Sequence, residues 1–173
     1  MMNLLNKIRT PNRKVPFSKV LLHMVLIAVT GILMGMVAKL LDIYTTNLGN
    51  IFSQLSVWIF LCTVIAVFSD TPFSSAANVF SFCIGMLAAY YATAEFTSSV
   101  YSMMYVYGWT AFATLSPALG FCTWYAKGRG IISKIIIVGI ILVMLAAAIV
   151  MFDKIRAADV VFAMFTGFVL LKK

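Results

Sequence analysis

The chain has 173 residues, 63% of them hydrophobic and 10% charged, with a mean hydropathy of +1.04. A water-soluble domain carries about 25% charged residues, so this composition excludes a soluble globular protein and places the chain in lipid. The formal charge of +8 arises from 13 basic against 5 acidic residues. No basic patch is interleaved with aromatics, which excludes nucleic acid as a partner; the basic residues flank apolar runs instead and report membrane orientation.

The length permits one membrane domain, residues 18–173, behind a basic tail, residues 1–17. The tail carries Lys7, Arg9, Arg13 and Lys14, with Lys19 just after it. Leu4, Leu5 and Ile8 share one side of a short helix, so the tail is expected to lie in the membrane interface, interrupted by Pro11 and Pro16. The apolar run that follows, Val20 to Ala38, exceeds a signal-peptide core, and no small-residue cleavage site follows it. It reads as an uncleaved first span over residues 18–41.

This first span ends in Gly31, Gly35, Lys39 and Asp42, spaced four, four and three apart. At ~100° per residue they form one narrow helical stripe. Its lower half is small, and small-xxx-small spacing lets two membrane helices touch backbone to backbone. Its upper half carries one charge of each sign, which lipid tails exclude. The stripe is therefore expected to face protein, with the remaining helices wrapped around it.

Asn47-Leu-Gly49-Asn50 reads as a turn, and a second span is expected over 51–68. Ser69-Asp70-Thr71-Pro72 stops that helix and can cap the next. A third span is expected over 76–94, with Gly85 and Ala89 as a further small-residue contact strip, and a fourth over 100–125 with Pro117 as a candidate hinge. Lys127-Gly128-Arg129-Gly130 is a basic turn before a fifth span over 131–152. Asp153-Lys154-Ile155-Arg156 is a charged turn before a sixth over 157–171, only 15 residues long. That is roughly 22 Å at 1.5 Å per residue, against a hydrocarbon core of roughly 30 Å.

The expected fold is thus an all-α, polytopic bundle of six transmembrane helices. The alternative is five spans and a re-entrant last segment. With a cytoplasmic N-terminus, ten of the thirteen Lys and Arg residues fall on that side, which predicts that both termini are cytoplasmic.

On that topology Asp42, Glu95, Asp153 and Asp159, and most tyrosines, collect at the outer end. Lys39, Asp42, Glu95, Tyr91, Tyr105 and Trp109 are candidates to line an outward-facing acidic, aromatic pocket for a small cationic or aromatic solute. The same residues also fit an interfacial aromatic belt with locally paired charges. His23, the single histidine, has no acidic neighbour in sequence and does not suggest a metal site. Cys62, Cys83 and Cys122 sit in apolar runs without a C-x-x-C pair and read as buried thiols. No catalytic signature is present, so neither an enzyme nor a cofactor is expected.

At Gly31-x-x-x-Gly35-x-x-Ala38-Lys39-Leu-Leu-Asp42, Asn47-x-Gly49-Asn50-Ile-Phe-Ser53, Asn78-x-Phe80-x-Phe82-Cys83-x-Gly85-Met86, Tyr90-Tyr91 and Gly108-Trp109 the chain resembles an uncharacterised family of small bacterial integral membrane proteins. The resemblance implies a plasma-membrane location and supplies no activity. In size and expected topology the chain also resembles the substrate-binding subunits of energy-coupling-factor vitamin transporters. That resemblance implies a coupling subunit docked on small residues of the first helix, here Gly31, Gly35 and Ala28.

The function expected from the sequence is a membrane-embedded component that binds or transports a small solute, with lipid and another membrane subunit as partners. The alternatives are a structural or regulatory subunit without its own ligand, and an intramembrane enzyme.

Overall fold

The computed structural model describes residues 7–12, 15–52 and 54–172. Among them the chain is helical throughout, in this order: α1 Phe17–Tyr44, α2 Thr46–Phe52, α3 Leu55–Phe68, α4 Pro72–Phe96, α5 Met103–Trp124, a 3-10 turn Tyr125–Lys127, α6 Ile131–Phe152 and α7 Ala157–Leu171. Backbone groups in lipid must be satisfied within the segment, and a helix does this without a partner.

Three helices are long and apolar enough to cross a bilayer: α1, α4 and the Ile131–Val150 part of α6. A fourth crossing results if α2 and α3, which meet at 52°, form one broken span. The protein is therefore a multi-pass helical membrane bundle. The count is lower than the six expected, for two reasons. α5 has 22 residues, but its tyrosines, threonines, Ser116 and Pro117 dilute its apolar character. α7 has 15 residues and is too short alone.

The glycine stripe of α1 does face protein. A Cβ on Gly31 would lie 2.4 Å from the Phe82 carbonyl oxygen, and one on Gly35 2.2 Å from that of Met86. Gly85 of α4 reciprocates, with its Cβ position 2.7 Å from the Ala28 oxygen. The two helices thus cross backbone to backbone, with Ala38 and Ala89 buried in the same strip. Only Gly31, Gly35, Ala38 and Lys39 of α1 are buried.

The expectation that the bundle wraps around α1 is corrected. The helix lies at the edge, with Leu22, Val25, Leu33 and Val37 among its exposed apolar residues. The core is centred where α3, α4 and α5 meet, around Trp58, Cys62, Ala66, Val79, Phe82, Cys83 and Ala113, and α1 adds Ala38 to it from one side. A stripe one residue wide can hold one neighbour; α3 and α4 bury residues on several faces.

Residues 46–52 are helical rather than a turn. The Thr45 hydroxyl donates to the Leu41 carbonyl at 2.6 Å and accepts from the Gly49 N–H at 3.1 Å, so it closes α1 and opens α2. Gly49 is needed because its Cβ position lies 2.7 Å from the Asp42 Cα. The expected stop before α4 is present: Thr71 and Ser74 exchange hydrogen bonds of 3.0 Å in a capping box, with Pro72 opening the helix. α5 stays one helix through Pro117. The Ala113 carbonyl that Pro117 leaves without its helical donor accepts from the Ser116 hydroxyl at 2.7 Å.

The base of the bundle is tied by the tail. The Arg9 guanidinium donates to the Trp124 carbonyl at 2.7 Å and the Val67 carbonyl at 2.9 Å, and lies 4.0 Å over the Trp124 ring. These carbonyls close α5 and α3, where a cation complements the helix dipoles. Ile8 is buried against Trp124 and Tyr125, and its carbonyl accepts from the Arg129 N–H at 2.7 Å. Ile8 thus faces protein rather than the interfacial lipid expected of it. Leu4 and Leu5 lie outside the described residues.

Two predictions follow from these contacts. Gly35→Leu forces a side chain into the Met86 backbone and should destabilise the protein by about 3 kcal/mol or more, read as a lower unfolding temperature in detergent; unchanged stability would refute the α1–α4 contact. Arg9→Gln should cost about 1–3 kcal/mol and expose the tail to trypsin at Lys7, and an unaltered cleavage rate would show that Arg9 does not hold it.

Candidate functional site

At the end of the bundle opposite Arg9, five helices and two connecting segments leave a cleft of about 390 Å³. Its lining is contributed by Lys39 and Asp42 of α1, Asn50 and Phe52 of α2, Trp58 of α3, Met86, Leu87, Tyr90 and Tyr91 of α4, Tyr105 and Trp109 of α5, and Arg156 just before α7. The 97–102 connector adds Val100, Tyr101 and Ser102.

Five of the six expected pocket residues therefore meet in one place: Lys39, Asp42, Tyr91, Tyr105 and Trp109. Glu95 does not line the cleft. It is exposed one turn above Tyr91 and accepts a hydrogen bond from the Tyr101 hydroxyl. That bond holds the Tyr101 phenol above its ordinary pKa and anchors the connector at the rim.

The geometry begins with the α1–α4 glycine contact. Close approach of the two backbones brings Lys39, only 2% exposed, under Tyr90. The Lys39 ammonium donates to Asp42 Oδ2 at 3.0 Å and lies 5.2 Å from the Tyr90 ring centroid. The Tyr90 hydroxyl donates to the same oxygen at 3.1 Å. A lone cation in a membrane helix costs about 2.5–3.5 kcal/mol at the bilayer centre. Here a carboxylate and a ring face offset that cost.

The aromatic walls are mutually braced. Trp58 packs edge-on to Trp109 at 6.2 Å, and the Trp58 indole N–H donates to the Phe52 carbonyl at 2.8 Å. Tyr91 contacts Tyr90 at 5.3 Å and Tyr101 at 5.2 Å. Tyr44 and Tyr107 are 76% and 71% exposed and lie outside the cleft.

The acidic character expected of the pocket is corrected. The lining carries one carboxylate, Asp42, and two cationic side chains, Lys39 and Arg156. The acids diverge because each has a local partner: Glu95 bonds Tyr101, and Asp159 is drawn into the protein. Asp159 accepts from Ser56 Oγ at 2.5 Å and from the Arg156 N–H at 2.9 Å, which caps α7 and ties it to the start of α3. With its amide turned to match its neighbours, Gln54 donates to Asp159 and accepts from Arg156, both at 3.2 Å.

Asn50, Phe52 and Arg156 are cleft residues that sequence reasoning missed. Arg156 is three residues before Asp159, the spacing of a helix cap, and that was the available signal. Nothing in the sequence places it beside Asn50, whose carbonyl it approaches at 3.5 Å.

The small-residue strips Gly31/Gly35 and Gly85/Ala89 are occupied by each other. α4 covers the face that the resemblance assigns to a coupling subunit, at Gly31, Gly35 and Ala28.

The ion pair is testable by a double-mutant cycle. Lys39→Met should destabilise by about 2–4 kcal/mol because it strands Asp42, and the Lys39→Met/Asp42→Asn double variant should recover at least about half of that. Additive losses in thermal unfolding would show that the two side chains are not coupled.

No protein-family model matches the chain, and no characterised protein or solved structure is significantly similar to it.

Proposed function

We propose that this protein is a membrane-embedded component that binds or transports a small solute, and that the cleft at the Lys39 end is its site. The observation that carries the reading is the convergence of Lys39, Asp42, Tyr91, Tyr105 and Trp109 from three helices on one cleft of about 390 Å³. Ligand sites are concave, mostly apolar, and carry a few placed polar groups; this cleft combines aromatic walls with one braced ion pair. The solute class that fits is small, with a flat apolar or aromatic body to stack on Trp58, Trp109 and Tyr91 and a polar head to reach Lys39 and Asp42.

The cleft requires a particular placement in the bilayer. In the proposed topology α2–α3 and α5–α7 also cross, giving six spans with both termini cytoplasmic and the cleft facing outward at the plasma membrane. The positive-inside distribution supports it, as does the pairing of the two short helices. α3 and α7 meet at Ser56–Asp159 at one end and Val67–Leu170 at the other, so both cover the same thickness. A partner subunit, if one assembles with the protein, docks away from the glycine stripe.

Mass analysis of protein purified in mild detergent tests the reading. A small molecule should co-purify with the wild-type chain and be retained about tenfold less by Trp109→Ala, the effect of removing one stacking wall. Equal retention by the variant, or repeated absence of any bound solute from wild-type protein, would overturn it.

A further inference from the structure

Below the cleft, the core holds two thiols that the proposed solute does not touch. Cys62 lies one turn beyond Trp58 on α3, and Cys83 one turn before Met86 on α4. Their sulfur atoms are 3.4 Å apart. Cys83 is fully buried and Cys62 is 8% exposed. A disulfide has its sulfurs ~2.05 Å apart, so closure needs an approach of only about 1.4 Å.

A route of access reaches the pair. A second cleft of about 200 Å³ lies among α3, α4, α5 and α6, and Cys62 forms part of its wall beside Ile59, Val79 and Phe112. The wall around it is almost wholly apolar. Charged or strongly hydrated reagents are excluded from such a surface by the cost of desolvating them. An oxidant dissolved in the lipid is not excluded.

We propose that Cys62 and Cys83 are a redox-active dithiol, oxidised to an α3–α4 disulfide by a membrane-soluble quinone. In the step, both S–H bonds break and one S–S bond forms. The two electrons and two protons pass to the quinone oxygens, giving the hydroquinone, and an uncharged, lipid-soluble dithiol restores the pair by exchange, leaving as its own disulfide. Trp58 and Met86 are each one turn from a reacting sulfur and both line the outer cleft. Closing the bond therefore draws α3 and α4 together directly beneath that cleft. The inference rests on the thiols and their access route, and stands apart from the identity of any solute.

The test uses the full chain with Cys122→Ser, which removes the exposed third thiol and with it intermolecular pairing. The reduced protein in lipid–detergent micelles is treated with a decyl-substituted benzoquinone or with glutathione disulfide, alkylated under denaturing conditions and peptide-mapped. The quinone should produce an intramolecular Cys62–Cys83 disulfide with one hydroquinone released per chain. Its rate should exceed that of glutathione disulfide by at least about tenfold, because the thiols are shielded from water. Hydroquinone release should cease in both Cys62→Ala and Cys83→Ala. Thiols that remain alkylatable after quinone treatment, or equal rates with the two oxidants, would overturn the proposal. The peptide map of the unsubstituted pair decides the matter even if a cysteine variant fails to fold.

Discussion

The structure depends on the close approach of α1 to α4. Lipid tails are as apolar as leucine side chains, so burying leucine gives two membrane helices little reason to associate. Direct backbone contact does, through dispersion contacts at short range, and only glycine at positions 31, 35 and 85 permits it. The same contact aligns the top of α1 with the top of α4, so Lys39 and Asp42 meet Tyr90. The polar triad at the cleft is thus a consequence of small residues two turns below it.

The ends of the bundle are held by a different force. In a low dielectric an unpaired polar group is costly, and the chain meets this cost at each end with long-range polar ties. At the base, Arg9 supplies donors to carbonyls that α3 and α5 leave open. At the cleft end, Asp159 joins α7 to Ser56 and is backed by Gln54. Between these ties α3 and α7 run side by side at matched length. A helix of 15 residues is short for a bilayer, but beside an equally short neighbour its ends are met by protein groups.

The two clefts differ in what they admit. The cleft at the Lys39 end is ringed by aromatics and holds an ion pair. The inner cleft is apolar and reaches a thiol. They share α3 and α4 as a wall, with Trp58 and Met86 on one side and Cys62 and Cys83 close beneath. A small change in the α3–α4 spacing at the thiols is felt first at the aromatic floor above them, because close-packed interiors transmit displacement.

Composition alone decided that lipid is the solvent and that the chain is helical, because unpaired backbone is intolerable there. Helical periodicity decided that Gly31 and Gly35 face protein, and cap chemistry at Ser69–Pro72 marked the break before α4, which begins at Pro72, ahead of the span expected from residue 76. Five cleft residues were legible as charges and aromatics, four near span ends and Trp109 within its span. Only the tertiary structure decided that α1 is peripheral, since periodicity gives a buried face but not the number of neighbours on it. The structure puts Tyr91 and Tyr105, the tyrosines expected at the cleft, in its wall and leaves Tyr44 and Tyr107 exposed outside it. It also took Glu95 out of the cleft, where it bonds Tyr101, and brought Arg156 in beside Asn50, about a hundred residues away along the chain, a pairing of which local spacing carries no trace.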